Sequence, residues 1–129
     1  MKLFLYIQIK GAQQIGFGNP IGNWLKEHQP ERVLLEADNH SDDLVIQQEI
    51  KMLEEADDLM LWLDALPHEK PGKAVRLIEK VLRNKDINST IYQSGSNELL
   101  ERMLKLSGQS VHQVNGTSEL KEHISSESN

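Results

Sequence analysis

The chain has 129 residues, 38% of them hydrophobic and 26% charged, the size and composition of one globular domain able to bury about two thirds of its unfolded surface without disulfides. Fourteen Lys and Arg against twenty Asp and Glu leave a net charge of −6. This speaks against generic binding to nucleic acid or an anionic membrane, because phosphate affinity is mostly electrostatic. The absence of cysteine excludes disulfides, thiolate metal sites and cysteine catalysis, and accords with a cytoplasmic location.

Short apolar runs alternate with longer segments of helical period. Leu3 to Ile9 is the first run, too short to span a bilayer and followed by no small-residue cleavage site, so it reads as a buried strand closed by Gly11. Asn19-Pro20 offers a cap and a first-turn proline for a short helix over 20–29, with Ile21, Trp24 and Leu25 as its apolar stripe. Arg32 to Asp38 is a second strand, and Ser41 is positioned to cap a helix whose buried face is Ile46, Ile50 and Leu53. Leu59 to Leu63 is apolar at every position, as a strand covered on both faces requires, and Trp62 is expected to point away from the layer that takes Leu61 and Leu63.

A loop over 66–72 leads to a third helix with Ala74, Leu77, Ile78, Val81 and Leu82 on one face. Ser89 to Gln93 is a fourth strand, and Ser94-Gly95-Ser96 is a turn. Leu99, Leu100, Met103, Leu104 and Leu106 form the face of a fourth helix stopped by Gly108. Val111 to Val114 is a half-polar edge strand, 118–124 a last short helix and 125–129 a polar disordered tail. Five strand-helix units of crossover length predict a single three-layer α/β/α domain over 1–124. Its mostly parallel five-stranded sheet is flavodoxin-like or Rossmann-like, with strand order 2-1-3-4-5.

Ligands of such sheets bind beyond the carboxyl ends of the strands, which directs attention to loops 10–19, 38–43, 64–72, 94–97 and 115–117. The first of these holds Gly11, Gly16 and Gly18. Gly11 to Gly16 has the glycine spacing of a phosphate loop, but Phe17-Gly18 stands where the lysine and hydroxyl belong, which excludes a nucleoside-triphosphatase site of that type. Gly16, Gly18 and Gly22 approximate a dinucleotide fingerprint, with Asp38 near the ribose-binding distance. Six residues separate Gly16 from the strand, however, so the close approach of strand, turn and helix is lost.

Asp64 closes the third strand, where receiver domains carry their phosphoacceptor, yet Lys10-Gly11-Ala12 replaces the acidic pair that holds their magnesium. The five histidines include no i, i+4 pair, and no metal site is expected; His40 and His68 alone fall at the ligand edge. With Asp64 they are the candidate catalytic residues, as acid/base groups. Gly16, Gly18 and Asp38, together with Ser94 and Ser96 before the fourth helix, are the candidates for holding a cofactor, whose identity the residues leave unknown. The plain alternatives are a glycine loop that shapes the sheet edge, a carboxylate satisfied in its own loop and Ser96 as a simple N-cap.

Over residues 44–66, the helix end Ala56-Asp57-Asp58 leading into an apolar strand resembles small α/β domains of the nucleoside deoxyribosyltransferase and TIR-like kind. No glutamate motif of those enzymes has a counterpart here, and no catalytic residue is carried over. Two functional readings follow. One is a small cytoplasmic binding or regulatory domain, with a homodimer through a helix face or the fifth strand as its assembly. The other is a binder of a nucleotide or small phosphorylated ligand, or a small enzyme, with its site between loops 10–19 and 64–72.

Overall fold

The structure is a computed structural model that describes residues 1–84 and 86–127. Its strands and helices, in chain order, are β1 (Lys2–Ile9), α1 (Gly22–His28), β2 (Arg32–Asp38), α2 (Asp43–Glu55), β3 (Asp58–Ala65), α3 (Val75–Arg83), β4 (Asn88–Gly95), α4 (Glu98–Ser107), β5 (Val111–Gln113) and α5 (Thr117–Glu127). The strands form one all-parallel sheet in the order β2-β1-β3-β4-β5, a flavodoxin-like α/β domain as expected from the alternation.

A parallel strand covered by helices on both faces needs apolar side chains at consecutive positions. Leu3 to Ile7 and Leu59 to Leu63 meet that condition and are buried throughout, which places β1 and β3 at the centre. Alternation along the strands then divides the core. Leu3, Leu5, Ile7, Leu61 and Leu63 pack against Ile46 and Leu53 of α2, Leu77, Ile78 and Val81 of α3, and Leu100 and Leu104 of α4. Phe4, Tyr6, Met60, Trp62 and Tyr92 face the other way, onto Ile21 and Leu25 beside and within α1 and Leu120 and Ile124 of α5. Trp62, 3% exposed, therefore lies opposite Leu61 and Leu63.

Several local expectations are corrected. The first helix begins two residues late, at Gly22, because the Asn19 side chain accepts from the Ile21 amide and holds Pro20 in the preceding turn. Asp42, not Ser41, caps α2 by accepting from the Val45 amide; the Ser41 hydroxyl accepts from the Asp38 amide instead. Asn97, not Ser96, caps α4, since β4 continues through Ser94 and Gly95 and shifts the helix start along the chain. Leu99 and Leu106 stay exposed on α4, whose contact with the sheet is limited to the stripe through Leu100, Met103 and Leu104. Trp24 is half-buried and stacks on His28. The last helix runs to Glu127, beyond the expected end at 124, and positions 128–129 of the expected tail lie outside the described residues.

The amino edge of the sheet is fastened by Arg32, whose side chain is 5% exposed. Its guanidinium bonds Asp58 at 2.6 Å, the Leu3 carbonyl at 2.8 Å and the Gln29 side chain, tying β1, β2 and β3 to the end of α1. At the carboxyl edge the closest approach is between β3 and β4. Gly95 has a φ of +77°, and a Cβ there would be driven into the Ala65 carbonyl oxygen. Gly16 has an ordinary φ and only the Gln8 side chain nearby. Gly95→Ala is therefore expected to cost at least about 2 kcal/mol, from the left-handed backbone and the steric clash together. Gly16→Ala should stay within about 0.5 kcal/mol of the parent. Urea denaturation midpoints of the two variants check both values.

Candidate functional site

Register sets the residues that meet at the ligand edge. Asp38, Gln8, Asp64 and Ser94 lie side by side on β2, β1, β3 and β4, on the sheet face covered by α1 and α5. One level below are Glu36, Tyr6, Trp62 and Tyr92. The Tyr6 and Trp62 rings stack with centroids 4.3 Å apart, forming an aromatic floor under the polar row. Strand order reverses between β1 and β3, so Asp64 stands at the switch point.

One oxygen of Asp64, Oδ2, accepts from the Tyr6 hydroxyl at 2.8 Å and faces the Lys10 ammonium at 2.8 Å. Burial, and after it the hydrogen bond to Asp64, pushes the Tyr6 hydroxyl well above its ordinary pKa, so it stays protonated and donates. Lys10 and Asp64 keep 19% and 23% of their side-chain surface exposed. Trp62 donates its indole N–H to the buried Ser94 hydroxyl at 2.9 Å. Tyr6 and Lys10 were not among the residues singled out from sequence, although Tyr6, Gln8 and Lys10 share the two-residue period that carries them to one face.

The surrounding loops are tied down by polar side chains. Gln8 clamps Gly16 by accepting from its amide and donating to its carbonyl, both at 2.9 Å. Asn39 accepts from the Lys10 amide and donates to the Lys70 carbonyl, while Asn97 donates to the carbonyls of Leu66 and Glu69. Among the earlier candidates, Gly18 and Ser96 are exposed, and Asp38 accepts from the His40 amide. His40 is exposed and reaches the Lys10 carbonyl through Nε2 at 3.0 Å; His68 is exposed, and neither histidine bonds to Asp64. Among the described residues no group of three or more His, Asp or Glu side chains is arranged to hold a metal ion, and no helix is long and apolar enough to cross a membrane.

Phosphate sites commonly use free N–H groups at a helix start. Here Asp42 caps α2 with Asp43 in the first turn, and Asn97 caps α4 with Glu98 and Glu101 following. The Glu119 carboxylate of α5 takes the Asn115 amide. Each of these three helix starts thus carries its own negative charge, which complements the helix dipole and repels a second anion.

A groove of about 900 Å3 lies elsewhere, along the outer edge of β2. It is lined by Gly22 and Lys26 of α1, Leu34, Leu35 and Glu36 of β2, and Val45, Gln48 and Glu49 of α2, among others. Glu49 sits one helical turn from Ile46 and Leu53 and is only 6% exposed, with neither carboxylate oxygen hydrogen-bonded. That helical spacing was available in the sequence and marks Glu49 as an acid on a buried face. Burial, with a smaller contribution from Glu36, pushes its pKa from the ordinary 4.5 to about 7.

The linkage has a definite sign. Between those two values the unfolded chain has released the Glu49 proton while the folded chain retains it, so this group makes stability fall as pH rises through the window. Glu49→Gln should match the parent near pH 4.5 and exceed it at pH 8 by up to about 3 kcal/mol. Denaturant midpoints at the two pH values measure the difference, and an equal offset at both would remove the assignment. Compared with family models, curated proteins and solved structures, the chain matches none of them.

Proposed function

We propose that the protein is a non-enzymatic binding domain that acts through contacts with another macromolecule, in a reducing compartment such as the cytoplasm. The observation that carries this reading is the mutual satisfaction of polar groups at the switch point. Asp64 is held by Tyr6 and Lys10, Gly16 by Gln8, and loops 10–19, 38–43 and 64–72 by Asn39 and Asn97. One Asp64 oxygen, Oδ2, serves both a cation and a phenol.

The second reading, a site for a nucleotide or small phosphorylated ligand, or a small enzyme, draws on the partial exposure of the Lys10 and Asp64 pair above the aromatic floor. Lys10 supplies the charge that such a ligand's phosphate would meet. Thermal-shift measurements with nucleotides, dinucleotides, sugar phosphates and divalent metals separate the two. A ligand present at 100 times its Kd adds about 2.7 kcal/mol of stability, well within reach of the assay. The binding-domain reading expects no rise in Tm with any of them. A rise that disappears in folded Asp64→Asn and Lys10→Met variants overturns it in favour of the small-ligand site.

A further inference from the structure

Among the described residues, strand β2 pairs with β1 on one side and with no strand on the other. Seven residues at about 3.3 Å each give it an edge of roughly 23 Å, and the groove beside it is walled by α1 on one face of the sheet and α2 on the other. Side chains along this edge alternate. Leu34 and Glu36 belong to the α1 face, and Val33 and Leu35 to the α2 face. Val33 is 38% exposed, and Leu34 and Leu35 are half-buried, so apolar surface is open on both sides of the strand.

Two carboxylates flank the same edge. Glu36 is exposed and makes no ion pair among the described residues, and Glu49 is enclosed beneath α2 with both oxygens unbonded. Two cations also line the groove: Arg32 is already committed to Asp58, Gln29 and the Leu3 carbonyl, and Lys26 is exposed on α1, the helix on the face opposite Glu49. A buried carboxyl group without a partner is costly to ionise, and an arriving cationic N–H group offsets that cost directly.

We propose that this groove accepts an extended segment of a partner protein, carrying lysine or arginine among apolar residues on both of its faces, which adds to the sheet as a sixth strand beside β2. The proposal rests on the binding-domain reading and names the partner's chemistry. An open strand edge supplies main-chain hydrogen bonds, and pockets on alternate faces read alternate side chains of the added strand. Apolar side chains of the added strand cover Leu34 on the α1 face and Val33 and Leu35 on the α2 face, while a cation on the α1 face meets Glu36 and one on the α2 face meets Glu49. A second copy of this chain is the poorer occupant. Antiparallel pairing of β2 with itself gathers two Glu36 and two Glu49 side chains around the two-fold axis of two molecules that each carry −6.

Fluorescence anisotropy of the full chain with two dye-labelled seven-residue peptides tests the assignment, one placing valine pairs and lysine pairs in turn so that both residue types reach both faces, the other with glutamate in place of lysine. The lysine peptide is expected to saturate and the glutamate peptide to stay unbound. Glu36→Gln and Glu49→Gln should each weaken the lysine peptide at least tenfold, whereas Glu101→Gln on α4, an acid outside the groove, should leave it unchanged. Amide exchange of residues 32–38 should slow when the lysine peptide binds. Three outcomes overturn the proposal: no saturation, an equal loss with Glu101→Gln, or unchanged exchange over 32–38. Sedimentation showing self-association, with the amides of 32–38 protected in the free dimer and no peptide bound, overturns it too and assigns the groove to a second copy. None of these results touches the binding-domain reading, which falls only to an Asp64-dependent small-molecule hit.

Discussion

The pairing of β1 with β3, eight residues against eight in parallel register, is the constraint from which the rest of the molecule follows. Both strands are covered on both faces, so their alternating side chains must supply two separate cores at once. That requirement sends Leu61 and Leu63 toward α2, α3 and α4, and sends Tyr6 and Trp62 toward α1 and α5. It also creates the switch point, because the chain leaves β1 for β2 in one direction and reaches β3 and β4 in the other. Asp64 stands at that point only because it follows Trp62 by two residues on the same face, which puts it above the aromatic floor and beside Lys10.

The fold was legible because its signals are local and repeated. Uninterrupted apolar runs, helical stripes such as Leu77, Ile78 and Val81, and the spacing of the units each imply the same layered sheet. The caps were misplaced by one residue for a simple reason. Ser41 and Asp42, or Ser96 and Asn97, are adjacent residues that both favour an N-cap, and the end of the preceding strand decides which of them enters the extended conformation. Leu99 and Leu106 were misjudged because five apolar residues on a ten-residue helix exceed the width of the face that the sheet covers.

The site was harder to read. Loop position suggested histidines and glycines, whereas the register of two strands distant in sequence selected Tyr6, Gln8 and Lys10. Hydrogen bonds from Asn39 and Asn97 join loops 28 to 31 residues apart, a relationship with no periodic trace in the chain. Glu49 is the opposite case, since its helical position alone exposes the conflict between an ionisable side chain and an apolar neighbourhood. Such a conflict persists against stability, and residues that violate the local rules of a fold are commonly those that serve its function. The acids elsewhere are quiet by comparison: Asp42, Asp43 and Glu98 support helix starts, and Glu54 pairs with Lys80.

The two margins of the sheet are unequal, seven residues in β2 and three in β5. Head-to-tail stacking of sheets into a fibre would require the long edge of one molecule to meet the short edge of the next, leaving most of the long edge's main-chain groups without partners. The short strand offers the long edge of a neighbour too few partners, so unequal margins disfavour head-to-tail growth through the sheet edges.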